Sequence, residues 1–389
     1  MRIVHIITRL ILGGAQENTV LTCEELLRLH GDDVLLITGP PLGPEGSLME
    51  RVRRNGIPVE VLAALRREIH PLRDSQSYFQ IKQAIARFRP DVVHTHSGKA
   101  GLLGRMAAHA RGVEAIVHTV HGAPFHPYQS RGAQAVLRRC ERYAARRSDA
   151  LVSVADAMTA LLVAARVAPR EKFTTIYSGM EVEPFLQADQ HRQRMRQQFG
   201  YGEQHVVVGK IARLFHLKGH EFVVRAAEQI VRAQPNVRFL FVGDGLLSQS
   251  IREQVRRARL ESYFQFTGLV EPEQIPALIG AMDMVVHTSL REGLARVLPQ
   301  ALIAGKPVIS YDVDGAREVV INDQTGILLP PGCIDELAAG VSLLAADPLL
   351  RNKLGAEGRK RFTEPFRHEH MTSQLRQLYE RILSAKRGA

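Results

Sequence analysis

An acid, a glycine and an amide stand at set intervals in residues 289–308, SLREGLARVLPQALIAGKPV: Glu292, then Gly293, then Gln300 eight positions after the acid. The apolar run between them and the stop at Gly305 and Pro307 read as strand, loop, helix and strand, with the acid at a strand's carboxyl end. Ligands bind at that edge of an open parallel sheet. A carboxylate there can accept hydrogen bonds from a polyhydroxylated ligand, and the helix start beside it can face a phosphate. A second set is basic. In GKIARLFHLKGH, Arg213 and Lys218 lie five apart in a loop after a strand, able to flank a diphosphate from two directions. A solvated basic loop fits that spacing equally well.

Glycines make a third set. Gly13 and Gly14 in LGGAQENTV let a backbone approach a ligand, with a helix start near Ala15 to face a diphosphate. The pattern is not GxGxxG and no acid follows the second strand, so it does not suit a nicotinamide. Gly243, Asp244 and Gly245 close a strand in FVGDG, which suits a base or ribose and equally any tight turn. His121 and Gly122, in HTVHGAPFHPY, end another strand, where a side chain reaches the ligand edge.

In DVVHTHSGKAGLLGR, His94 and His96 share one strand face. No third ligand has metal spacing, so no metal site is expected. Ser97 and Lys99 open the following helix and, with His96, are acceptor-side candidates, although a plain strand-to-helix turn fits too. Asp312 and Asp314 in YDVDG read as turn chemistry, not a metal-held nucleotide. Cys23, Cys140 and Cys333 form no framework, which fits a reducing, cytoplasmic setting.

The elements that position these residues are legible as apolar runs. Strands are expected at 3–7, 34–38, 59–62, 91–96, 115–121, 150–154 and 174–177, then at 206–211, 237–242, 264–267, 284–288, 308–311 and 327–329. Helical periodicity separates them, as at 17–29 and 102–110. Continuous rather than alternating apolar character marks parallel strands buried on both faces. The expected class is α/β, with two doubly wound Rossmann-like domains: 1–185, and 186–365. Residues 366–389 carry Met371, Leu375, Leu378 and Ile382 at helical spacing.

At 389 residues the chain suits two domains. No apolar run approaches the ~18 residues of a spanning helix. The basic, apolar start MRIVHIITRLILGGAQ is better read as a buried first strand than as a signal peptide. The net charge of +11 divides evenly: 24 Lys/Arg against 18 Asp/Glu up to residue 185, and 27 against 22 after it. Only 6% of residues are aromatic and no nucleic-acid module appears, so nucleic acid is not an expected partner. The densest basic stretch, QAVLRRCERYAARR at 134–147, is a solvated helix face or a peripheral contact with an anionic inner membrane.

Taken in order, GGA near the start, His121-Gly122, Arg213 with Lys218, GDG, and Glu292 with its partner eight positions on resemble the family 4 retaining glycosyltransferases, the group 1 glycosyltransferases of GT-B architecture. The resemblance covers essentially the whole chain, and the first-half text is similar to the branch extending lipid-linked or surface polysaccharides, lipopolysaccharide included. It implies two Rossmann-like domains facing a central cleft, an acceptor domain first and a donor domain second, with the terminal helix crossing back to the first. It implies that Arg213 and Lys218 hold the donor diphosphate and stabilise its departure, and that Gly13 and Gly14 approach that phosphate. Glu292 would contact the transferred sugar, amides of Gly293, Leu294 and Ala295 the sugar or phosphate, and His121 the sugar near the reacting carbon. Gly243, Asp244, Gly245 and Gln300 would line the donor. The co-substrate would be a UDP- or GDP-linked sugar, the acceptor a glycan or lipid-linked glycan, with no cofactor and no metal. The family commonly has a second Glu where Gln300 stands and Asn where Ser178 stands. A nucleotide-sugar epimerase of the same fold and a non-catalytic nucleotide-binding subunit are the alternatives.

Overall fold

The computed structural model describes residues 1–43 and 46–388. Two compact units result: Met1–Met180 with Phe366–Ala389, and Glu181–Pro365. The division lies ahead of residue 185 because Met180 is already pinned to the terminal segment. Its N–H donates to the Phe366 carbonyl at 2.8 Å, and the His368 N–H donates back to its carbonyl at 3.2 Å.

The first unit holds β1 (Arg2–Ile7), β2 (Asp33–Thr38), β3 (Val59–Val61), β4 (Val92–His96), β5 (Ala115–Val120), β6 (Ala150–Ser153) and β7 (Phe173–Thr175). The second holds β8 (Val206–Ile211), β9 (Val237–Val242), β10 (Phe264–Phe266), β11 (Met284–His287), β12 (Val308–Tyr311) and β13 (Gly326–Leu329). Among the described residues these form two sheets, ordered β3-β2-β1-β4-β5-β6-β7 and β10-β9-β8-β11-β12-β13. Each order reverses once, between β1 and β4 and between β8 and β11. In an open parallel sheet the ligand crevice opens at such a reversal, outside the carboxyl ends of the strands. The loops that follow β1, β4, β8 and β11 are therefore the places to look.

The strand residues alternate between two apolar layers because successive side chains point to opposite faces. Ile3, Ile7, Val34, Leu36 and Val92 pack in one cluster of the first unit, and Val4, Ile6, Ile37 and Val93 in the other. The terminal helix His368–Arg387 lays Met371, Leu375, Leu378, Tyr379 and Leu383 on the first of these clusters. Burying one side chain of this size is worth about 1.5–3 kcal/mol, so the five together rival the roughly 5–15 kcal/mol of net stability typical of a domain. An ion pair from Arg376 to Asp32 at 3.0 Å adds polar anchorage. In the second unit one cluster joins Val208, Phe239, Phe241, Ile309 and Tyr311 to Val223, Val224 and Ile230 of the helix His220–Ala233.

Candidate active site

The second unit brings Lys218 and Glu292 together across its strand-order reversal, one after β8 and one after β11. Lys218 Nζ donates to Glu292 Oε1 at 2.5 Å, with the two side chains 23% and 18% exposed. Burial by itself would raise the Glu292 carboxyl, but its polar contacts, Lys218 foremost, outweigh it and hold the group below its ordinary range. His287 is buried and sets Nε2 3.8 Å from the same oxygen. Desolvation drives its pKa down to about 3, so it is neutral at pH 7.

Behind this pair stands a lysine that the sequence hides inside the apolar strand VVVGKI. Lys210 Nζ donates to Thr288 Oγ1 at 2.8 Å, and that hydroxyl donates to the Gly219 carbonyl at 2.6 Å. Burial first, then the charge of Lys218, lowers the Lys210 ammonium to about 7. The bond chain fixes the residue next to Lys218. Gly219 has φ of 69°, and a Cβ there would lie 1.9 Å from the Thr288 carbonyl oxygen, so this close approach requires glycine.

The acid loop is held from the other side by the turn that follows β12. The Glu292 N–H donates to Asp314 Oδ2 at 2.7 Å, and the Gly315 N–H donates to the Gly293 carbonyl at 2.9 Å. Asp314, read from sequence as turn chemistry, therefore positions the acid, while Asp312 pairs with Arg317 at 2.5 Å. The expected helix start beside the acid is displaced: the helix is Val297–Ile303, and Gly293, Leu294 and Ala295 lie in the intervening loop. Tied down by Asp314 and Gly315, that loop reaches helical geometry only at Val297. Gln300 sits on this short helix, half-buried, and its side-chain amide makes no hydrogen bond among the described residues.

Arg213 lies on the Lys218 loop, exposed, with its guanidinium carbon 5.0 Å from the centre of the Phe215 ring. The GDG turn packs directly against this loop, and the Leu214 N–H donates to the Asp244 carbonyl at 2.9 Å. A Cβ on Gly243 would meet the Ala212 carbonyl oxygen at 2.3 Å, and one on Gly245 the Leu214 carbonyl oxygen at 2.6 Å. Both glycines thus have a packing cause, seating the Arg213 loop. Asp244 turns its carboxylate to its neighbour, accepting from the Gly245 N–H at 2.8 Å.

In the first unit, Gly13 precedes the helix Gly14–Arg28, with the Glu17 N–H donating to its carbonyl at 2.9 Å. After β5, His121 lines a pocket of about 290 Å³ with Ser97, His118, Gly122 and Glu141. Glu141 is paired with the buried Arg105 at 3.0 Å. His96 is fully buried and meets His121 Nε2 through its own Nδ1 at 3.2 Å, so it stands behind His121. Ser97 takes φ of 66°, a left-handed conformation that L-residues seldom adopt. Lys99 is committed to Asp74 at 2.6 Å and to the Glu68 carbonyl. A third histidine, absent from any nearby spacing, comes from β1: His5 lies opposite His94 in the β1–β4 register. Nitrogens of His5, His94 and His96 lie within 4.8 Å of one another.

The basic stretch forms the helix Arg131–Ala145. Arg142 donates to the Arg166 carbonyl at 2.8 Å, while Val136 and Tyr143 are exposed. Among the described residues no helix is long and apolar enough to cross a membrane.

The chain is similar to known proteins. Residues 191–361 match the family model described as glycosyl transferases group 1, and residues 13–179 match the glycosyl transferase 4-like domain. The UDP-Gal:alpha-D-GlcNAc-diphosphoundecaprenol alpha-1,3-galactosyltransferase of Escherichia coli is 25% identical over 382 residues, covering 97% of this chain and 96% of that protein. The 2-deoxystreptamine glucosyltransferase of Streptomyces kanamyceticus is 28% identical over 310 residues, covering 77% and 80%. The Anabaena protein HepE, solved with UDP-glucose, shares the fold at a TM-score of 0.82 and 22% identity, over 98% of this chain and 100% of that one.

Proposed function

The chain belongs to the group 1 glycosyltransferases, and within that family we propose that it moves a sugar from a nucleoside diphosphate sugar to a lipid-linked glycan acceptor with retention of anomeric configuration. The observation that carries this reading is the Lys218–Glu292 pair at the strand-order reversal of the second unit. A shielded cation next to a shielded carboxylate offers one group for a diphosphate and one for sugar hydroxyls. Lys218, with Arg213, holds the diphosphate and stabilises the negative charge that grows as the bond to the anomeric carbon breaks. Glu292 stays ionised at neutral pH and accepts from the sugar hydroxyls, with the amides of Gly293, Leu294 and Ala295 beside it. Gly13 and Gly14 approach the phosphate, Gly243, Asp244 and Gly245 border the nucleotide, and Gln300 takes the ribose. His121 bonds the transferred sugar. The basic pair supplies the positive field without a metal.

The UDP-glucose of the Anabaena neighbour supports a uridine donor. The diphosphoundecaprenol in the Escherichia coli relative's name supports a lipid diphosphate acceptor in surface polysaccharide synthesis. The enzyme then works at the cytoplasmic face of the membrane, where the helix Arg131–Ala145 meets anionic lipid. The test is a thermal-shift screen of UDP- and GDP-sugars followed by an NMR time course. A bound donor raises the transition by mass action, and turnover should require acceptor. Donor converted to an epimer without acceptor would support the epimerase reading instead, and binding without any turnover the non-catalytic subunit.

A further inference from the structure

Behind His121 runs a row of histidines. His5 on β1 and His96 on β4 are completely buried. His5 Nδ1 meets His96 Nε2 at 3.0 Å, and His96 Nδ1 meets His121 Nε2 at 3.2 Å. The linked rings are nearly parallel, at 16° and 26°. The links run head to tail, δ nitrogen to ε nitrogen, through three imidazoles.

A neutral imidazole has one N–H and one lone pair. The polarity of the first link therefore sets that of the second. The far end decides it: His5 Nε2 is buried and has no hydrogen-bond partner among the described residues. A buried N–H without an acceptor is rarer in folded proteins than a buried acceptor without a donor. His5 therefore carries its proton on Nδ1 and donates to His96 Nε2. His96 in turn donates from Nδ1 to His121 Nε2. We infer that His5 and His96 are positioning residues that fix His121 as the tautomer protonated on Nδ1, a hydrogen-bond donor at that nitrogen.

Burial holds His5 down at about 3 and His96 well below its usual value, so these two rings stay neutral at physiological pH. His94 stays outside it. The Tyr379 hydroxyl bonds its Nδ1 at 2.5 Å, and its Nε2 bonds Thr119 Oγ1 at 2.7 Å. Its ring stacks on His96 with centroids 4.3 Å apart and walls the chain in. Both nitrogens of His94 and both of His96 are thus engaged, and a metal ion at His5, His94 and His96 would have to displace those bonds. The consequence for transfer rests on His121 being the sugar contact proposed above. A donor at Nδ1 can bond a sugar oxygen, whereas the other tautomer would offer that oxygen a lone pair.

The experiment is long-range proton–nitrogen correlation NMR on the full chain labelled with ¹⁵N-histidine, with His121→Gln identifying the His121 signals. The wild type should show His121 protonated predominantly on Nδ1. His96→Phe should abolish that bias while circular dichroism stays unchanged. His5→Phe, one link farther away, should weaken it and serves if His96→Phe does not fold. Wild-type His121 protonated on Nε2, a tautomer indifferent to both substitutions, or stoichiometric zinc retained by the purified protein would overturn the inference. Transfer kinetics form a separate arm. A tautomer that switches with no fall in kcat upholds the histidine chain and refutes the sugar contact assigned to His121.

Discussion

Replacing Lys218 by Ala removes the donor of the 2.5 Å bond to Glu292 Oε1 from a site where both side chains are about four-fifths shielded. A hydrogen bond to a charged group contributes about 1.5–3 kcal/mol. If Lys218 gives that interaction to the donor diphosphate in the transition state, kcat/KM should fall by roughly 10- to 150-fold. A second signature follows from electrostatics. Burial raises the Glu292 carboxyl, and Lys218 is the largest influence lowering it. Without the lysine its pKa must rise. Glu292 offers both oxygens as charged acceptors only when ionised, so activity is lost as pH falls through that pKa, and the acid limb of kcat/KM should move to higher pH. Glu292→Gln, close in shape but uncharged, should remove that limb. The assay is release of nucleoside diphosphate across a pH series, with the urea midpoint and circular dichroism as fold controls. A loss below about tenfold, or an acid limb unmoved in Lys218→Ala, would refute the assignment of Lys218 and Glu292 to the donor.

Lys210→Met should lower kcat/KM by loosening the Thr288–Gly219 chain, and it should change how stability responds to pH. The folded-state value of about 7 lies below the ordinary 10.5, so between those pH values the unfolded chain binds a proton that the folded one does not, and wild-type stability should rise across that window; urea midpoints at pH 6.5 and 9.5 should show the rise in wild type and less of it in the variant. Asp314→Ala removes the acceptor of the Glu292 N–H and should cost about 1–3 kcal/mol for the donor left behind, seen as a raised donor KM with nucleotide binding largely kept. Gln300 should turn its amide to the ribose in a crystal structure with bound donor; a side chain pointing away contradicts that contact. Charge reversal at Arg138, Arg139 and Arg146 should reduce co-sedimentation with anionic vesicles, and unchanged co-sedimentation removes the membrane role of that helix.

The strands were readable because parallel strands buried on both faces must be largely apolar: VRFLFV of β9 and AIVHTV of β5 have little other use. Lys218 and Glu292 were readable because a charged residue stands out in a loop after such a run. The same logic hid Lys210. One lysine inside VVVGKI looks like a strand residue, and only the sheet order shows that it ends at the reversal, behind the two loops. His5 was hidden differently. Its partner His96 lies 91 positions away, and the link exists because β1 and β4 are neighbours in the sheet. Asp314 was noticed but read as a turn, since sequence does not show which loop a turn carboxylate faces. The acid's helix begins late, at Val297, because bonds to Asp314 and Gly315 hold the preceding loop, and those are tertiary.

The measurement that bears most directly on the central claim is transfer of labelled sugar from UDP-sugar to an undecaprenyl-diphosphate-linked acceptor, run with wild type and Lys218→Ala in parallel. The account predicts a lipid-linked product that requires both substrates, keeps the donor's anomeric configuration and falls at least about tenfold with the variant. Label that stays on the nucleotide or appears only as an epimer, or a product formed equally well without Lys218, would contradict it.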